Sequence, residues 1–527
     1  MRTGLADLAQ FAPVASTGVA EDRIGLIDRS RSIQHSTTSP TRIMSLQTTL
    51  KSLVWPFIEA VSAVISGAAA VLVIARIIGP EAFGLGSIAT GIVVITQVGV
   101  NSLVHDALVR SERLSSEDID VGFTASLSAA LGIGIVVVLV APVIAYFVKH
   151  DSVTLLIWAL TPILIFSALP VTMIAERRRA LDFNTVAIHQ IAGRIAGMVL
   201  GVGAAVAGAG VWSLVIQYTS TSLYIAAAMY ALAPRWPRLR FSWRRFAPML
   251  SFCSPIIASQ LLIYATNWFF LFTMGRWHGL QAAGHWSVAM RLADGLFGGI
   301  MQAAYQVALA SLALHQTARD RLRDALEKGQ ALSGLAAIPL LVALAAVAEP
   351  LLQLLLGPSW ASAGRLALGP LVGSFLFVRQ ILPSTALRVI GISSVSLAGT
   401  AANAAAALTG LLLFARYSPL DVSATYALSA LPGYALIYVV AARKFSLPLE
   451  RGIAALGRDL AVAVIAFALS QSAIVQLHSA SLVLKIIVAG ATAFLVAALL
   501  LTLSQRKYFQ RIWAAEFKGA SMEGETR

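Results

Sequence analysis

The chain is 527 residues long, with 58% hydrophobic side chains, 12% charged ones and a formal charge of +14, against about 45–50% apolar and about 25% charged in an ordinary soluble domain. So few charges cannot coat a water-facing body of this mass, which excludes a soluble globular enzyme and puts most of the surface in lipid. The positive excess is scattered between apolar runs rather than gathered on one face, which excludes a nucleic-acid partner, and the lone Cys253 has no Cys or His at ligand spacing, so neither a metal nor a cofactor is expected.

Residues 1–52 carry six Lys or Arg and no long apolar run, and read as a disordered cytoplasmic tail in which Met44 competes with Met1 as the start. Fourteen apolar stretches long enough to cross a bilayer follow, at 53–77, 84–108, 121–148, 153–175, 185–208, 210–233, 247–274, 284–312, 331–356, 364–388, 393–415, 419–442, 459–477 and 482–504. With the N-terminus inside, the cytoplasmic segments hold 30 of the 39 Lys and Arg, the opposite ends hold 6, and Arg194, Arg291 and Arg379 lie within spans. Both termini are then cytoplasmic, as the positive-inside rule requires. The external loops are too short for a catalytic domain, and the segment 315–330 reads either as an interfacial amphipathic helix or as a solvated linker.

A repeat runs through the spans. Arg76-x2-Gly79-x4-Gly84-x2-Ser87-x-Ala89 recurs 200 residues later as Arg276-x2-Gly279-x4-Gly284-x2-Ser287-x-Ala289, and Leu169-Pro170-x-Thr172 is echoed by Leu382-Pro383-x-Thr385. Two echoes in the same order indicate a duplicated six-helix unit, and an even helix count puts both copies in the membrane the same way round. The expected architecture is an all-α polytopic membrane protein with an N-lobe over 53–233, a basic cytoplasmic linker over 234–246 and a C-lobe over 247–442. Two further helices over 443–504 and a cytoplasmic tail over 505–527 complete it.

No nucleotide-binding Gly-x4-Gly-Lys motif, nucleophile elbow or external carboxylate pair is present, which leaves transport rather than catalysis. Ionisable groups at membrane depth are the functional candidates. In span 8, Arg291 and Asp294 share a helical face that Gln302 and Gln306 continue. Such a stripe either lines a wet cavity or pins the helix to a neighbour through a buried ion pair. Arg379 and Arg194 have no acid on their own helix and need a carboxylate elsewhere, a carbonyl, water or an anionic substrate, for which the guanidinium is a fork-shaped donor. These three arginines with Gln302 and Gln306 form the expected substrate site. Asp294 and Glu59 are the expected ion-coupling carboxylates, Glu59 having helix-to-helix bonding as its alternative role.

The chain resembles the polysaccharide transporter family, the Wzx-type lipid-linked oligosaccharide flippases of the multidrug/oligosaccharidyl-lipid/polysaccharide exporter superfamily, most of all its exopolysaccharide branch. The resemblance is carried by Ala75-Arg76-Ile-Ile-Gly79-Pro80-Glu81-Ala82-Phe83-Gly84, by Ala107-Leu-Val-Arg110 with Ser115-Ser-Glu117-Asp118, and by Arg178-Arg179-Ala-Leu-Asp182-Phe183. Gly210-Val-Trp212-Ser213, Pro237-Arg-Leu-Arg240-Phe241-Ser-Trp243 and Leu356-Gly357-Pro358-Ser-Trp360 carry it further along the chain. It implies a MATE-like fold of two six-helix lobes in a bacterial inner membrane. It also implies a cargo of polyprenyl diphosphate-linked oligosaccharide, and a polysaccharide polymerase and chain-length or export proteins as partners. The competing functions are a cation-coupled multidrug antiporter, whose positive cargo the arginines disfavour, a membrane-embedded transferase, and a non-transporting component of a polysaccharide assembly complex.

Overall fold

The computed structural model describes residues 46–111, 114–295, 319–392, 394–477 and 479–524. Every long element among them is α-helical. A bilayer leaves the backbone no water to bond, so each spanning segment must satisfy its own N–H and C=O groups. The helices are α1 (Leu46–Ser102), α2 (His105–Arg110), α3 (Ser116–Val148), α4 (Ser152–Leu160), α5 (Pro162–Ala168), α6 (Val171–Arg179), α7 (Phe183–Val206), α8 (Trp212–Ala231) and α9 (Trp243–His278). A helical run over residues 280–295, α10, is followed after residues 296–318 by α11 (Arg319–Leu356), α12 (Ala361–Leu366), α13 (Leu368–Val389) and α14 (Ser394–Phe414). The chain ends with α15 (Pro419–Ser429), α16 (Leu431–Phe445), α17 (Leu449–Gln476) and α18 (Leu482–Gly524).

Eleven helices among the described residues are long and apolar enough to cross a membrane. One of them, Val61–Arg110, contains two of the expected spans joined at Gly79, α8 occupies the expected sixth span, and α10 opens the eighth. Their outward faces carry Leu412, Val475 and Leu139, each 70% or more exposed. Such surfaces belong in lipid, while Trp286, Phe270 and Trp360 fill the interior.

Three differences from the sequence expectations concern helix ends. Arg319–Gln330 is the beginning of α11 and not a separate interfacial helix, because Leu322 and Leu326 bury their side chains and carry the helix on into the span. The helix α1 starts at Leu46, and α18 runs on to Gly524 through the stretch expected as a tail. Residues 1–45, with most of the other expected tail, lie outside the described residues.

The repeat motif is also a structural motif. Gly79 and Gly279 have nearly the same backbone, at φ 78°, ψ 170° and φ 88°, ψ 167°, a region that only glycine enters without strain. Each bends the chain into the next helix, and the two following helices cross. A Cβ on Gly84 would lie 1.9 Å from the Leu280 carbonyl oxygen, and one on Gly284 would lie 2.0 Å from that of Pro80. Backbone therefore meets backbone in a reciprocal contact, which small residues alone permit.

The segment between α8 and α9 is extended and fastened to the start of α3. Ser115 and Asp118 cap α3 reciprocally, the Ser115 hydroxyl accepting from the Asp118 N–H and the carboxylate accepting from the Ser115 N–H. Buried Asp120 accepts from the Arg235 guanidinium at 2.6 Å and from the Arg238 N–H at 3.0 Å, and Thr124 Oγ1 accepts from the Arg240 N–H. Arg245 adds ion pairs to Glu117 and Asp118. Two of the motifs that carry the family resemblance are thus the two sides of one joint. Below it Phe246 on α9 packs with Val104, Leu108, Val121, Val171 and Ala175 from α2, α3, α6 and the turn before α2.

Candidate functional site

A cavity of about 600 Å³ opens among α9, α10, α13, α14 and α15. Its wall is polar although every contributing helix is apolar overall: Asn267, Asp294, Gln380, Asn403 and Tyr426 face it, with seven serine and threonine hydroxyls and Arg388. Helical periodicity explains the arrangement. Ser374, Phe377, Gln380, Ile381, Ser384, Thr385 and Arg388 fall on one face of α13, and Ser396, Thr400 and Asn403 fall on one face of α14. From Ser374 to Arg388 the stripe covers about 21 Å, so the cavity is a trough running from mid-membrane to the helix end that bears Arg388. At that end the Ser384 and Ser396 hydroxyls lie 3.0 Å apart and the Arg388 guanidinium donates to Ser396 at 3.2 Å. At the deep end the Tyr426 hydroxyl donates to the Asn267 side-chain oxygen at 3.4 Å. The cavity between α1 and α3, of about 270 Å³, is lined by Ile92, Ile133, Val136, Val137 and Ile144 and offers no comparable polar wall.

The expected arginines do not converge. Arg291 donates to the Tyr218 hydroxyl on α8 at 3.1 Å, so it bridges helices from the two copies of the repeat. Asp294 is left facing the trough. Arg379 points out of the trough, 5% exposed, into an ion pair with the fully buried Asp459 of α17, and it donates to the Gln330 carbonyl at 2.8 Å. Asp459 also receives Arg458 at 3.0 Å. Burial makes this pairing mandatory, since either charge alone in the interior costs several kcal/mol. Arg194 donates to the Glu59 backbone carbonyl at 3.4 Å, and the Glu59 carboxylate is 3.5 Å from Arg178. Arg178 in turn is 3.5 Å from His105, whose other ring nitrogen is 2.8 Å from Asp106. Glu59 thus belongs to a polar cluster of α1, α2, α6 and α7, apart from Asp294. Gln302 and Gln306 lie outside the described residues. No group of three or more metal-ligating side chains is found among the described residues.

Sequence reasoning missed Asn267, Gln380, Asn403, Tyr426 and Arg388. The polar stripes of α13 and α14 have the same helical spacing as the one noticed in span 8, but apart from Arg388 at the helix end they consist of neutral side chains, and a search for charges at membrane depth passes over them.

A helical membrane body with a reciprocal crossing between two copies of a repeat and a polar trough inside it is the architecture of a MATE-like transporter. By overall shape the chain matches the lipid II flippase MurJ in its inward closed conformation with a TM-score of 0.67, at 12% identity, over 87% of this chain and 100% of that one. It matches the eukaryotic MATE transporter AtDTX14 at 0.52, with 15% identity over 76% and 99% of the two chains. An inward-facing multidrug resistance MATE family transporter gives 0.50, with 16% identity over 75% and 94%. In sequence, residues 73–365 match the model of the family described as polysaccharide biosynthesis protein, and the chain belongs to that family. It is 26% identical over 300 residues to the succinoglycan biosynthesis transport protein ExoT of Rhizobium meliloti (strain 1021), a match that covers 55% of this chain and 59% of that protein's length. These relatives are named as transporters and flippases, and none of them as an enzyme.

Proposed function

We propose that the chain is a flippase that carries polyprenyl diphosphate-linked oligosaccharide repeat units across the bacterial inner membrane for exopolysaccharide or other surface polysaccharide synthesis, with both termini cytoplasmic. The single observation behind this reading is the trough: a wall of amides and hydroxyls within a lipid-facing helical body suits the hydroxyl-rich surface of a saccharide, whose polyprenyl tail needs only the surrounding lipid. The family membership and the MATE-like fold support it. In this reading residues 53–233 and 247–442 are the two lobes, and Arg291, placed where the lobes meet, contacts the diphosphate.

Arg194 and Arg379 are held by Glu59 and Asp459, so their part in binding depends on the substrate displacing those partners. Gln302 and Gln306 continue the face of Arg291. The transport cycle is driven by an ion gradient through a carboxylate, Asp294 in the trough or Glu59 in the other polar cluster. Partners would be the polymerase and export proteins that receive the flipped unit.

Deleting the gene in its native host and measuring polyprenyl-linked saccharide tests the reading. Loss of exported polysaccharide with accumulation of the lipid-linked unit on the cytoplasmic side is expected, restored by the wild-type gene and restored poorly by Asn267→Ala/Asn403→Ala. Unchanged export in the deletion strain would refute it. An Asp294→Asn variant that binds but no longer responds to a proton or sodium gradient would identify the coupling carboxylate.

A further inference from the structure

The extended strap between Ala231 and Trp243 is fastened mainly to α3, with Arg177 of α6 donating to its Leu232 carbonyl. Asp120, Thr124, Glu117 and Asp118 hold it through Arg235, Arg245 and the backbone of Arg238 and Arg240. Exposed along it and at the first residue of α9 are Trp236, Leu239, Phe241 and Trp243, at 69%, 71%, 56% and 62%. Among them stand the exposed side chains of Arg238, Arg240 and Arg244, which make no hydrogen bond or ion pair among the described residues. Phe241 and Trp243 stack loosely on each other and on Phe246, at 5.7 to 6.5 Å between rings, so the aromatic cluster is preformed.

We infer that this strap is a docking surface for anionic phospholipid, with the guanidiniums on the phosphates and the aromatic and leucine side chains in the interfacial region of the leaflet. Chain continuity places it there, because it joins two membrane helices across a gap of only eleven residues, 232–242. The composition suits a headgroup boundary: tryptophans and arginines at the edge of a span sit where one end of the side chain is apolar and the other wet. The charge chooses the lipid, since each unpaired basic side chain near the surface favours an anionic leaflet. The hydrogen bonds to α3 fix the strap's backbone before lipid binds, so less ordering is left to binding. The inference does not depend on the cargo.

The test uses the full chain in nanodiscs of phosphatidylcholine or phosphatidylglycerol carrying brominated acyl chains, with tryptophan fluorescence as the readout. The difference between the wild type and Trp236→Phe/Trp243→Phe isolates two of the 10 tryptophans. Quenching of that difference signal, at mixing ratios showing a preference for brominated phosphatidylglycerol that falls by about tenfold in Arg238→Gln/Arg240→Gln/Arg244→Gln, is the expected result. These three side chains make no hydrogen bond to a described group, and Arg240 adds only its charge beside Asp120, so the variant should fold, and an unchanged melting temperature would verify it. An unquenched difference signal would mean that the strap faces water or a protein, and would overturn the inference. Equal quenching by both lipids would overturn the assignment of the arginines to an anionic leaflet.

Discussion

Arg379 is the residue whose role the structure defines most sharply. A guanidinium in a membrane helix can serve an anionic substrate or a structural partner, and here its partner is Asp459, fully buried on a helix about eighty residues away in sequence. Asp459→Asn should lower stability by about 3–5 kcal/mol, because it strands the arginine in the interior. The double variant Arg379→Met/Asp459→Leu should regain most of that in a detergent melting experiment and should export polysaccharide. Restored stability without export would give Arg379 a direct part in binding.

A second residue, Asp182, caps α7 by accepting from the Thr185 N–H at 3.2 Å and pairs with Arg177 at 2.8 Å. Partial burial by itself would raise its pKa, but the hydrogen bonds from Thr185 and the Arg177 charge outweigh it and hold the carboxyl below its usual range. Its contribution is therefore complete at neutral pH and is lost as the pH falls through the depressed value. Asp182→Ala should cost about 1 kcal/mol at pH 7, and the gap to the wild type should close in strong acid.

At the scale of elements, the closest approach is the crossing of the helices after Gly79 and Gly279. Neither Gly84 nor Gly284 has room for a methyl group, so Gly84→Ala should destabilise the crossing by about 1–3 kcal/mol. Gly203→Ala, in open space on α7, should not destabilise at all. Melting temperatures of the two variants decide this; equal losses would mean that the crossing is looser than drawn.

The repeat was legible in the sequence because Gly, Ser and Ala at fixed spacing survive as letters, but that its two copies cross backbone on backbone was not. The apolar runs were legible for the same reason, each being a local property of about twenty residues. The ion pair of Arg379 with Asp459 was not, since Asp459 stands among the charges at the start of its span and nothing local distinguishes it. The trough was half legible: Asp294 stood out by its charge, while the amides opposite it came together only once α9, α13, α14 and α15 had packed. Arg291 stood out by its charge at membrane depth, but its bond to Tyr218 joins residues 73 positions apart in the chain, a distance that no helical periodicity spans.

For the whole molecule, the division of Lys and Arg predicts that reporter fusions after Ala209 read as external and fusions after Arg240 as cytoplasmic. A cytoplasmic signal at Ala209 would reverse the assignment. The single cysteine offers a second measurement. Cys253 is buried on α9 against the backbone of Asp106 and Ala107, beside the Phe246 cluster. Maleimide should react slowly with the wild type and faster with Phe246→Ala, which loosens that cluster.

Two of the contacts between the copies of the repeat differ in kind, backbone on backbone at Gly84 and Gly284, side chain on side chain around Phe246, and they stand at opposite ends of α9. The first can act as a fulcrum and the second as the free end of a lever. Between Gly279 and Phe246 the helix is about 50 Å long, so a rigid rotation on the order of 15° about the crossing would carry Phe246 through about 13 Å while the glycines scarcely move. A swing of that size would part Phe246 from the side chains around it while the backbone contact of Gly84 with Gly284 stayed closed, so the lever opens at the Phe246 end.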